Sequence, residues 1–138
     1  MGKSRLLVAL AAQMACLASA QVEYPGLTDS LVVPAIPREF RAAWVATVWN
    51  IDWPSARTLS VASQKAEIDS ILTTAKAMNL NALCVQVRSM CDAMYQSSIE
   101  PWSYFLTNSM GAAPNPFYDP LQYWIDKGKE KGIAIYAW

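Results

Sequence analysis

A chain of 138 residues with 11 basic side chains, 11 acidic ones and no histidine is balanced in charge and narrow in its chemistry. Without histidine, these residues cannot build a Ser-His-Asp or Cys-His nucleophile or a His-based zinc site, and neither common Gly-rich phosphate loop is present. There is no basic footprint for nucleic acid and no polybasic cluster for an anionic membrane surface, so no metal, cofactor or nucleic-acid partner is expected.

The first twenty residues, MGKSRLLVALAAQMACLASA, have the plan of an export signal. Lys3 and Arg5 form a basic start, an apolar run follows from Leu6 to Leu17, and Ala18-Ser19-Ala20 offers a small-residue cleavage site. That run falls short of the roughly 20 residues needed to span a bilayer. An uncleaved anchor is the alternative. A lipoprotein attached through Cys16 is a third option, although Gln13 fits a lipobox poorly. The expected location is therefore periplasmic or extracellular. After cleavage, nine basic and eleven acidic residues remain, for a net charge of −2. The two remaining cysteines, Cys84 in an apolar strand and Cys91 in a following loop, do not form a disulfide framework. Stability must come from a core, for which a mature chain of about 118 residues is long enough.

Residues 21–37 contain Pro25, Pro34 and Pro37 and are expected to form an extended linker. The folded part is expected to begin at residue 38. FRAAWVATVW (40–49) is an almost unbroken apolar run, as in a strand covered on both faces. SQKAEIDSILTTAKAMNLN has helical period, with Ile68, Ile71, Leu72 and Ala75 on one face. Ser63 is the expected N-cap and Asn79 the left-handed stop. ALCVQV (82–87) is the second strand. In DPLQYWIDKGKEKG, Asp119 is the expected N-cap, with Pro120 at the first helical position and Gln122 completing a capping box. Leu121, Trp124, Ile125 and Gly128 form its buried face and Gly132 its end. IAIYAW is the third strand. The order β-α-β-α-β implies parallel strands. Three such strands with helices on one face leave the other face and both edges bare. The chain is therefore expected to be the first part of a larger α/β domain, a complete small α/β domain being the alternative.

In such folds, ligands bind beyond the carboxyl ends of the strands. The two connections there, WNIDWPSARTLSVAS and SMCDAMYQSSIEPWSYFLTNSMGAAPNPFY, are far longer than the usual two to six residues. The opposite connections, NLN and KGI, are minimal. On the second strand Cys84, Gln86 and Arg88 share one face, and Leu83, Val85 and Val87 the other. The polar set would then face the interior of a barrel, with Arg88 at its mouth as a five-donor fork for a carboxylate or sugar hydroxyls. Arg88 could equally brace the loop by an ion pair with Asp92 or Glu100. Trp53, Tyr95, Trp102, Tyr104 and Phe105 suit a carbohydrate cleft, because flat rings stack on sugars and nearby amides and carboxylates bond the hydroxyls. Any single ring is better explained as a cap that packs a loop, whereas the cluster as a whole favours the cleft. Glycoside hydrolysis commonly uses two carboxyl groups. Asp52, Asp92 and Glu100 are the available loop acids, and their spacing selects no pair. For Asp52, an Asx-type turn before Trp53-Pro54 is the competing reading.

The strings EFRAAWVATVWNIDWPS, NALCVQVRSMCDAMYQSSIEPWSYFLT and NPFYDPLQYWIDKGKEKGIAIYAW resemble the opening of the bacterial glycosyl hydrolase-like 10 family, over residues 38 to 138. The resemblance implies the N-terminal β-α-β-α-β portion of an exported (β/α)8 TIM barrel. It also implies glycoside hydrolase activity on cell-envelope glycan such as peptidoglycan stripped of its peptides. A carbohydrate-binding barrel that does not cut glycan is the alternative. The family usually has proline where this chain has Ser89. Tyr136 stands where the family has the histidine of a His-Ala-Trp triplet. The catalytic acid and base of such barrels are expected on later strands. The residues carried over form one wall of a substrate cleft: Asn50, Asp52, Trp53, Gln86, Arg88, Asp92, Tyr95, Glu100 and Trp102.

Overall fold

The computed structural model describes residues 39–138; the expected leader (1–20) and linker (21–37) lie outside the described residues. Three short strands, β1 (Ala42–Val45), β2 (Ala82–Val85) and β3 (Ala134–Ala137), form a parallel sheet in the order β1-β2-β3. The register sets Trp44, Cys84 and Tyr136 side by side, and Val45, Val85 and Ala137 likewise. Helix α1 (Val61–Ala77) links the first two strands. A long connection, containing the one-turn helix α2 (Tyr104–Thr107), leads to α3 (Pro120–Lys131) before β3.

The expected helix–strand alternation is present, with four local differences. The apolar run 40–49 is a strand only over Ala42–Val45, because the chain then turns into a 3-10 segment, Val48–Asn50. The Gln86 side chain causes this: its Oε1 accepts the N–H groups of Thr47 and Val48, both at 2.9 Å, and draws them off the ladder. Helix α1 starts at Val61, with Ser60 as N-cap accepting the Ser63 N–H at 3.1 Å. Ser63 is thus the third helical residue, and starting earlier buries Val61. Gln122 donates to Asp126 at 2.9 Å, so only the Asp119 half of the capping box forms. The fourth difference is that β1 is covered on one face only among the described residues, with Trp44 62% exposed on the other.

The stop signals fall where the pattern puts them. Asn79 (φ 59°) and Gly132 (φ 69°) are left-handed, ending α1 and α3. Gly128 allows α3 to lie directly on the sheet, since a Cβ there would sit 2.8 Å from the Ile133 carbonyl oxygen and 2.8 Å from Ile135 Cγ1. The core lies between the helices and the sheet and contains Ile68, Leu72, Leu83, Val85, Val87 and Trp124. Among the described residues, no helix is long and apolar enough to cross a membrane.

Candidate functional site

Since the strands are parallel, residues 46–59 and 86–118 both leave the carboxyl end of the sheet. Asp52 and Arg88 therefore stand on the same rim. The opposite rim is closed tightly: Asn81 Oδ1 accepts the Arg41 N–H at 2.9 Å, and Arg41 Nε donates to the Asn79 carbonyl at 2.8 Å. Elaboration at one end and compact bracing at the other is the layout of an α/β fold that binds its ligand at the strand ends.

In the first connection, Asp52 folds back on β1. Its Oδ2 accepts the Ala46 N–H at 2.7 Å, while the Ala46 carbonyl accepts the N–H groups of Asp52 and Trp53 at 3.0 and 3.3 Å. This clasp reaches back six residues, so it is not the expected Asx turn, and it leaves the carboxylate exposed. Asn50 ties the connection to its neighbour, its amide donating to the Pro54 and Phe105 carbonyls at 2.8 and 2.9 Å. Trp53 is fully enclosed. Its ring meets Trp124 edge-on and its N–H donates to the Gln64 carbonyl at 3.0 Å. It is a packing ring with no surface for a sugar.

The second connection is organised around Asp92, also fully buried. Its Oδ1 accepts the N–H groups of Ser89 and Met90 at 2.9 and 2.8 Å, and the Ser89 hydroxyl donates to it as well. Burial alone would raise the Asp92 carboxyl, but hydrogen bonds from the Ser103 hydroxyl, the Met90 and Ser89 N–H groups and the Ser89 hydroxyl hold it below the usual carboxylate range. Ser89 supplies an N–H that a proline at this position would lack. Asp92 is withdrawn from any ligand and fixes the loop instead.

Arg88 and Glu100 form an ion pair across the base of this connection. The Arg88 side chain is half exposed and Glu100 mostly covered, and the hydrogen bond to Glu100 raises the guanidinium pKa further. Of the two expected braces for Arg88, Glu100 is the one used. A backbone bridge between Ala93 and Trp102 closes the loop. Trp102 is half-buried and meets the exposed Phe117 edge-on at 6.2 Å. Tyr95 is half-buried against the core. Gln86 is 8% exposed and holds Thr47 and Val48.

The nine candidate residues therefore divide by what they present to solvent. Asp52 and Arg88 are exposed; Asn50, Tyr95, Glu100 and Trp102 are half-buried; Trp53, Gln86 and Asp92 are buried. Each of the three loop acids is already engaged within the rim. Two residues that the sequence reading passed over matter to this arrangement. Gln64, 2% exposed, donates to the Leu106 carbonyl at 2.9 Å and accepts the Tyr118 hydroxyl at 2.6 Å, locking the second connection to α1. Its signal was present, a glutamine four residues before Ile68 on the apolar stripe of the helix. The other is Trp49, the last residue of the apolar run 40–49, which stands exposed on the rim.

Residues 39–138 match the family described as "Glycosyl hydrolase-like 10". The chain belongs to this family. It is 43% identical over 101 residues to "Glycosyl hydrolase YngK" of Bacillus subtilis, covering 73% of this chain and 19% of that protein. It is also 33% identical over 106 residues to "Glycosyl hydrolase DigH" of Escherichia coli, covering 71% of this chain and 24% of that protein. The chain thus spans about a fifth to a quarter of the length of the curated relatives it matches. Both of these relatives are named glycosyl hydrolases.

Proposed function

We propose that this chain is the N-terminal part of an exported (β/α)8-barrel glycoside hydrolase, and that its two long connections form one wall of a glycan cleft. The substrate class is cell-envelope polysaccharide, with peptidoglycan glycan strands freed of peptides as the favoured case. The observation that carries the reading is the shared rim: in a chain of this family, both elaborated connections leave the same end of a parallel sheet. The leader sequence of residues 1–20 supports export. In this reading, Arg88, Asp52 and Trp102 contact the sugar, while Gln86, Asp92 and Glu100 hold the contacting groups in position. The acid and base that cleave the bond come from outside residues 39–138.

A second reading, a barrel that binds glycan without cutting it, is favoured by one observation: Asp52, Asp92 and Glu100 are all committed to bonds within the rim. Incubating the full-length protein with peptide-free glycan strands, and analysing products by mass spectrometry, separates the two. New reducing ends are expected. Binding without products would favour the second reading, and neither binding nor products would remove both.

A further inference from the structure

Of the six tryptophans, Trp49 is the most exposed, at 72%. Its backbone is left-handed (φ 55°, ψ 18°), as is that of Asn50 (φ 54°). Residues with a bulky side chain rarely adopt this conformation, and it persists only where the surroundings over-determine it. Here they do. Gln86 Oε1 holds the two preceding N–H groups at 2.9 Å, the Asn50 N–H donates to the Thr47 carbonyl at 3.0 Å, and the Asn50 amide is fixed to Pro54 and Phe105. The ring itself has only a tilted contact with Phe105, at 5.8 Å between centroids. The restraint on the backbone therefore leaves most of the indole uncovered. What it does is fix where the indole projects, at the carboxyl end of β1 and three residues before the exposed carboxylate of Asp52.

We propose that Trp49 is a sugar-stacking platform of this rim, receiving the apolar C–H face of a pyranose ring. A flat, rigid apolar surface bordered by polar groups suits a sugar, whose two faces are C–H and whose edge is hydroxyl. The inference rests on the glycan reading given above. It replaces the enclosed Trp53 with its exposed neighbour as the ring of the first connection that meets substrate.

The test uses the full-length protein, with chitotetraose as binding probe and peptide-free glycan strands as substrate. Trp49→Gly removes the ring and relaxes the left-handed backbone, so its melting temperature should be no lower than that of the wild type. Its Kd for chitotetraose and its KM should rise about threefold to tenfold, the range expected for one aromatic stacking contact, with kcat nearly unchanged. Trp49→Tyr keeps a flat ring and should return both constants to within about twofold of wild type. Unchanged affinity in Trp49→Gly, with or without a fall in melting temperature, overturns the proposal, as does a loss that tyrosine fails to rescue. A wild-type protein that neither binds nor cleaves glycan overturns the glycan reading, and this inference falls with it.

Discussion

On one face of the sheet, Leu83, Val85 and Val87 lie beneath the helices with Ile68, Leu72 and Trp124, all 6% exposed or less. On the other face, Trp44, Cys84 and Tyr136 stand in register, with both rings more than half exposed. Tyr136 meets Phe40 edge-on at 5.5 Å, and Trp44 meets Trp138 at 4.7 Å. Both faces are apolar, but only the first is packed. A patch of large rings on an otherwise well-packed sheet is a surface that wants covering. The barrel proposal assigns it to the interior of the closed sheet, where layers of side chains meet.

The sharpest way to break this comparison is to truncate one ring on each face in the full-length protein and follow urea unfolding. Trp124→Ala should cost about 3–5 kcal/mol, the usual loss for an enclosed aromatic. If the second face is the barrel interior, Trp44→Ala should cost nearly as much. A cost within about 0.5 kcal/mol, typical of a surface site, would show that Trp44 remains in solvent and that the strands do not close around it.

A smaller effect is expected at Asp92, where the contrast lies between a buried carboxylate and the exposed one of Asp52. Asp92→Asn replaces an acceptor oxygen with a donor facing N–H and O–H groups, and should cost about 1.5–3 kcal/mol at neutral pH. The Asp92 carboxyl is held below its ordinary range in the folded protein. Its stabilising contribution is therefore fully present above the unfolded value, near 4, and is lost as pH falls through the folded value. The stability gap between wild type and variant should shrink in acid below about pH 4. A gap that stays constant with pH would mean the carboxylate charge contributes nothing. Asp52→Asn should change stability less, its carboxylate being exposed with a single bond to Ala46.

The sequence reveals element order, parallel pairing and the rim more readily than it reveals which rim residues face outward. Periodicity places Leu72 and Trp124 inside, and Asn79 and Gly132 at helix ends, because those outcomes depend on neighbours three or four residues away. Trp49, Trp53 and Asp92 are different. Whether Trp53 or Trp49 turns inward depends on Gln86, more than thirty residues away, pulling the end of β1 out of the ladder. The burial of Asp92 likewise depends on the Ser103 hydroxyl and on the bridge between Ala93 and Trp102. Such contacts join distant segments through single side chains and leave no periodic trace. Ser60 rather than Ser63 caps α1 for a related reason, since both are capping residue types and the burial of Val61 decides between them.

The smallest change in stability is expected at the rim ion pair, where the two readings of Arg88 part. Arg88 is half exposed while Glu100 is mostly covered. Solvent therefore screens the pair from the arginine side and ordering the long side chain costs entropy, which keeps its contribution to folding small. Arg88→Ala and Glu100→Gln should both leave the melting temperature nearly unchanged. Turnover should separate them. If Arg88 donates to the glycan, its removal should lower kcat/KM about tenfold, as for a lost charge-assisted hydrogen bond. Glu100→Gln, which keeps the guanidinium but loosens its support, should have a smaller effect, and adding it to Arg88→Ala should cause almost no further loss. Equal small losses in all three variants, accompanied by a fall in melting temperature, would make the pair a brace for the loop and nothing more.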